Sequence, residues 1–97
     1  MPNVRCRALR WVSDEPWPGW VEVRLTDSDG TSYSFFDKPP VFEAGTRLTS
    51  GASYPLDIAV DCDVENDDGS DAVDIAMVHV ETDDGRRRFR VRRELLG

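Results

Sequence analysis

Alternation is the feature that most constrains this chain. In "LDIAVDCDV" the residues Leu56, Ile58, Val60, Cys62 and Val64 fall on one face, and Asp57, Asp61 and Asp63 on the other. That is the pattern of a strand with one face buried and one face wet. The same period runs through "NVRCRALRWV", where Val4, Cys6 and Ala8 alternate with Arg5 and Arg7, and through "WVEVRLT", where Val21, Val23 and Leu25 oppose Glu22, Arg24 and Thr26. Almost nothing repeats at the i, i+3, i+4 spacing of an amphipathic helix, so the chain reads as all-β.

The turns divide this pattern into about six strands. The first is predicted over Val4 to Val12 and the second over Trp20 to Thr26, with "SDEPWPGW" breaking the chain between them at Pro16 and Pro18. After "DSDG" a three-residue loop of Ser28, Asp29 and Gly30 sets Leu25 opposite Tyr33 and Val23 opposite Phe35, whereas a two-residue loop would set Leu25 against Ser34. The apolar match favours the three-residue loop, with Gly30 in the left-handed region. The "SFFDKPPVFEAG" stretch then reads as an anchor and a turn: Phe35 and Phe42 in the core, Pro39-Pro40 turning the chain, Asp37 and Lys38 exposed or locally paired. From Pro39 to Pro55 the chain makes an excursion whose apolar members, Val41, Phe42, Leu48 and Tyr54, are expected to close one end of the core. A strand from Leu56 to Val64 and the run "AVDIAMVHVET" follow. The latter is apolar on both faces from Ile75 to Val80 apart from His79, and reads as a central strand. A two-residue Asp84-Gly85 turn is predicted to pair Val80 with Phe89 and Val78 with Val91, leaving a last strand from about Arg86 to Arg92 and a turn of helix or a tail.

Six strands, tight hairpins and one long connection point to a small antiparallel β-barrel, with a compact β-sandwich as the alternative. Closure by the arginine-rich last strand beside the arginine-rich first strand would remove the open edges. At 97 residues the chain is expected to be a single domain, 1–97, with one core. Its amino terminus has three arginines and no apolar segment, and no run of eighteen apolar residues occurs, so the expectation is a cytoplasmic protein without a membrane partner. Cys6 and Cys62 lie in the inward series of their strands and read as inert buried thiols.

The formal charge of −7 is segregated. Carboxylates from Asp57 to Asp74 form a block with no basic residue, while Arg86, Arg87, Arg88, Arg90, Arg92 and Arg93 supply half of all the cations. Neighbouring strands could neutralise one another across a sheet. Within the acidic block "DVENDDGSDAVD" imitates a calcium loop, but the turn glycine, Gly69, comes one place late, and Asp74 stands where a bidentate glutamate is wanted. His79 has no Ser or Cys beside it in sequence, and no phosphate loop, CxxC pair, HExxH or GxSxG occurs. A non-catalytic chain with no cofactor and no metal is therefore expected.

Two surfaces remain as candidates. Trp11, Trp17 and Trp20 lie within ten residues around two prolines, so they either seal the barrel mouth or form a groove. With Asp61, Asp63, Asp67 and Asp68 they make the candidate surface for a basic protein partner, as in an inhibitor or immunity-type protein. The alternative is a single-stranded nucleic-acid surface on Arg86, Arg88, Phe89, Arg90 and Arg92, a less favoured partner class because the chain is acidic. Taken together, "WVSDEPWPGWVEVRLTDSDG", "DKPPVF" and "YPLDIAVDC" resemble a group of uncharacterised short bacterial proteins of about a hundred residues. The resemblance implies a stand-alone cytoplasmic protein and brings no activity with it.

Overall fold

A computed structural model describes residues 2–42 and 48–97, so residues 43–47 of the expected mid-chain excursion lie outside the described residues. Among the described residues the strands are β1 (Asn3–Ser13), β2 (Trp20–Thr26), β3 (Ser32–Asp37), β4 (Leu56–Asn66), β5 (Ala72–Met77) and β6 (Arg88–Arg92). They form one antiparallel sheet in the order β3-β2-β1-β4-β5-β6, curled into a small half-barrel. No described helix is long and apolar enough to cross a membrane.

The core follows from the alternation. Val4, Cys6 and Ala8 of β1, Val21, Val23 and Leu25 of β2, and Ile58, Val60 and Cys62 of β4 are all buried on the concave face. Each fully buried Val, Leu, Ile or Phe contributes about 1.5–3 kcal/mol, against about 0.2–1 kcal/mol for an exposed ion pair, so this face and not the charged one holds the fold. The β2–β3 hairpin has the expected register, Leu25 opposite Tyr33 and Val23 opposite Phe35. Gly30 takes a φ of +85°, and the Asp27 carboxylate, itself buried, accepts from the Asp29 and Thr31 amides to fix the loop. Past Asp37, Pro39–Phe42 form one helical turn, α1, begun by prolines whose missing N–H groups cost nothing there. Phe42 and Leu48 are buried, and Val41 and Tyr54 pack against the core, as the apolar members of the excursion were expected to do.

Three expectations are corrected. The β5–β6 ladder pairs Ile75 with Phe89 and Val73 with Val91, five residues from the predicted register. The ladder stops at Met77, whose amide donates to Arg87 O, and resumes at Thr82, which pairs with Arg86, so Val78–Glu81 are inserted on one side. The tip is a second three-residue loop, Asp83, Asp84 and Gly85, with Gly85 at a φ of +85° and the Thr82 hydroxyl accepting from the Arg86 amide. Val64 is 41% exposed because β4 overhangs the start of β1, whose pairing with it ends at Asn3 opposite Asp61. Finally, β6 is an edge strand beside β5, not a neighbour of β1. It is the tail after β6 that reaches β1. Following a helical turn over Arg93–Leu95, Leu96 bridges Val4, and the Gly97 amide donates to Asn3 O, covering the part of β1 below its pairing with β2.

The two sheet edges meet along a seam. At its lower end the Ser28 amide donates to Arg90 O at 2.8 Å. Above that, the Phe89 ring packs against Tyr33 at 5.0 Å and edge-on to Phe35 at 5.8 Å. The Arg86 guanidinium lies 4.6 Å from the Tyr33 ring centre and donates to its hydroxyl at 3.1 Å.

Candidate functional site

Above these closing contacts the seam stays open. Trp20 at the start of β2 and Phe36 and Asp37 at the end of β3 form one wall; the inserted Val78–Glu81, with Thr82 and Asp83, forms the other. The groove between them encloses about 470 Å³, inside the range of about 300–1,000 Å³ usual for ligand sites. Both walls have local causes. Trp20 and Phe36 belong to the outer series of their strands, opposite the buried Val21 and Phe35, so their rings cannot enter the core. The second wall is held by Arg87, whose Nε and Nη2 donate to Met77 O at 3.2 and 3.0 Å and whose Nη2 also donates to Val78 O at 3.0 Å. Arg87 thus supplies the donors that the interrupted ladder lacks.

The groove's charge is mainly negative, from Asp37, Glu81 and Asp83, with the Arg87 cation turned to backbone carbonyls. His79 also lines it, with Nε2 3.7 Å from the Asp61 carboxylate. Just outside, Glu22 accepts from the Ser34 hydroxyl at 2.7 Å and from Arg10 Nε at 2.8 Å. These two donors, Ser34 first, hold its carboxyl below the usual carboxylate range in spite of partial burial.

The tryptophans fall into three separate environments. Trp11 packs against the core and rests on Gly19, where a Cβ would stand 2.2 Å from its ring, and its indole N–H donates to Asp14 at 2.7 Å. Trp11 therefore seals the barrel end. Trp17 is 88% exposed at the tip of the β1–β2 loop, and Trp20 alone of the three lines the groove. The acidic candidates divide as well. Asp61 reaches the groove through His79, and Asp63 is exposed on β4. Asp67 and Asp68 belong to the β4–β5 turn, at the opposite end of the β4–β5 pairing from Met77 and the inserted wall of the groove, and serve that turn. Asp67 is forked by Arg93 and accepts from the Gly69 amide, which takes its pKa down to about 2, while Asp68 accepts from the Ser70 amide.

The arginine strand is largely committed within the molecule. Arg88 pairs with Glu65 at 2.8 Å, Arg90 with Asp74 at 3.0 Å and Arg92 with Glu94 at 3.8 Å, while Arg86 lies on the Tyr33 and Phe89 rings. The acidic block and the basic end thus neutralise one another, Arg90 with Asp74 between the neighbouring strands β6 and β5, and Arg88 with Glu65 over β5 to β4. Phe89 is corrected as a surface residue: it is 3% exposed, inside the core, with no ring face free for a base. The thiols are deep as well, burial pushing Cys6 up to about 12 and Cys62 up to about 11.

Sequence reasoning missed Phe36, Glu81, Asp83 and Arg87 as partners of Trp20, and took Asp37 only as exposed or locally paired. One signal was present. "TDDGR" has the same Gly-terminated spacing as "DSDGT", and applying the three-residue loop to both hairpins would have exposed the four-residue insertion. Comparison with models of protein families, with curated proteins and with solved structures finds no match to this chain.

Proposed function

We propose that this protein is a non-catalytic cytoplasmic binding module for a basic protein partner, in the manner of an inhibitor or immunity-type protein, and that the partner docks at the seam groove. The observation that carries the reading is the meeting, in one open groove, of two half-exposed aromatic rings, Trp20 and Phe36, with the carboxylates of Asp37, Glu81 and Asp83. A lysine or arginine side chain satisfies both at once: its stem covers the rings, its head meets the carboxylates, and a cation over an aromatic face adds about 0.5–1 kcal/mol at exposed sites. The net charge of −7 speeds encounter with a basic partner and slows it with an acidic one. Trp17, exposed beside this end of the sheet, is the further anchor a partner can bury.

Nucleic-acid binding on Arg86 to Arg92 is the second reading, and it is weaker because those arginines are paired and Phe89 is buried. The test is titration with an eight-residue peptide of alternating Arg and Val, followed by tryptophan emission at two salt concentrations. Binding should be lost on Trp20→Ala and in the triple variant Asp37→Asn, Glu81→Gln, Asp83→Asn. Single-stranded RNA should bind no tighter than about 100 μM near physiological salt, the weak end of non-specific affinity. Micromolar RNA binding that disappears in Arg88→Gln with Arg90→Gln would instead select the second reading.

A further inference from the structure

The two sheet edges are protected unequally. On β6, Arg88, Arg90 and Arg92 stand exposed at every second position, a charge pattern that discourages strand addition. By contrast β3 reads "SYSFFD", with no proline, no lysine and no charge before Asp37, and its register against β2 runs without a shift from Ser32 to Asp37. It is a regular edge about 20 Å long. Among the described residues no backbone hydrogen bond joins β3 to β6 or to the Val78–Arg87 connection, so its outer row of amides and carbonyls has no strand partner. Side chains cover the lower part of that edge, where Tyr33 meets Phe89 and Arg86. The upper part, at Phe36 and Asp37, opens into the groove.

We infer that the groove takes an extended segment of the basic partner as an added strand on β3. This rests on the binding reading above and gives it a mode. The added strand hydrogen-bonds to the β3 edge through alternate residues, so its side chains fall on two faces. One face meets Asp37, Glu81 and Asp83, and the other meets Phe36 and Trp20. The partner segment therefore alternates basic and apolar residues. A second copy of this chain fits less well, because it would bring another −7 and a second Asp37 to the same edge.

The peptide of alternating Arg and Val distinguishes this mode from docking by charge alone. Two analogues are made, one N-methylated at the Arg amides and one at the Val amides. An edge strand offers its N–H groups to the sheet only from alternate residues, so one analogue should lose about tenfold or more in affinity while the other stays near the parent. Equal binding by both analogues and the parent overturns strand addition and leaves charge-driven docking standing. No binding by any of the three overturns both. A sedimentation-detected dimer of the protein that the peptide cannot displace gives the edge to a second copy and also overturns the inference.

Discussion

Phe89→Ala tests the closure of the half-barrel, because this ring is the piece of β6 that reaches across the seam. It is 3% exposed and touches Tyr33 and Phe35 of the opposite edge, with Arg86 over its outer side. Truncating a buried phenylalanine costs about 3–5 kcal/mol, a figure that takes in the cavity left behind and the lost aromatic pairs. A domain of this size has roughly 5–15 kcal/mol in all, so the variant should be marginal. At about 4–8 °C per kcal/mol its Tm should fall by at least about 12 °C. Phe89→Leu should keep much of the apolar volume and fall between the two. Arg88→Gln, on the outward face of β6 with its side chain paired to exposed Glu65, should cost no more than about 1 kcal/mol. Urea titration followed by tryptophan emission gives all three values. If Phe89→Ala lies within about 0.5 kcal/mol of the parent, the ring is not in the core and the seam described here is wrong.

Glu22 gives a pH dependence of known sign: a carboxyl held below its ordinary value by Ser34 and Arg10 contributes stability above that value, and the contribution disappears as pH falls through the lowered one. Glu22→Gln should therefore lower the urea midpoint at pH 7 and have less effect at pH 3; equal effects at both would refute the assignment. Gly19→Ala forces a Cβ into the Trp11 ring at a φ of +105°, so it should cost more than Gly30→Ala, which adds only the left-handed penalty of about 1–2 kcal/mol in open space. Comparable losses in the two would show that Trp11 moves aside freely. Cys6 and Cys62, with pKa values raised to about 12 and 11 by burial, should resist a thiol reagent at pH 8 until the protein is unfolded; rapid labelling of the native chain would contradict their placement.

The strands were legible because each buries one face, and the period of two survives anything done to the loops. The β2–β3 register was legible because only one loop length pairs Leu25 with Tyr33 and Val23 with Phe35. At the second hairpin the same reasoning failed. The apolar run from Ile75 to Val80 passes the end of the ladder without a break, so hydrophobicity alone could not place the stop at Met77. The donors that permit the stop come from Arg87, ten residues away, and no local pattern announces a side chain capping backbone. The seam was illegible for a related reason. Whether Phe89 stacks in solvent or fills the core depends on β6 meeting β3, and those strands share no hydrogen-bonded ladder from which a register could be read. The tryptophans looked like one cluster because they are close in sequence, but bulges in the β1–β2 pairing near Trp11 and a proline-flanked loop tip send them apart.

The strand order has a consequence for how the chain finds this fold. Strands β1 to β3 are neighbours along the chain as well as in the sheet, and so are β4 to β6, so each half can zip from its own turns. Among the named strands β1 and β4 form the ladder that joins the halves, pairing Arg7 with Asp57 across a separation of fifty residues. Closing that long loop is the entropic step that local hairpins cannot share, and it should govern the refolding rate. The ion pairs between the acidic block and β6 all lie on one side of it. Salt that screens them should loosen the second half and leave the meeting of the two halves, driven by Cys6, Val60 and their apolar neighbours, almost untouched.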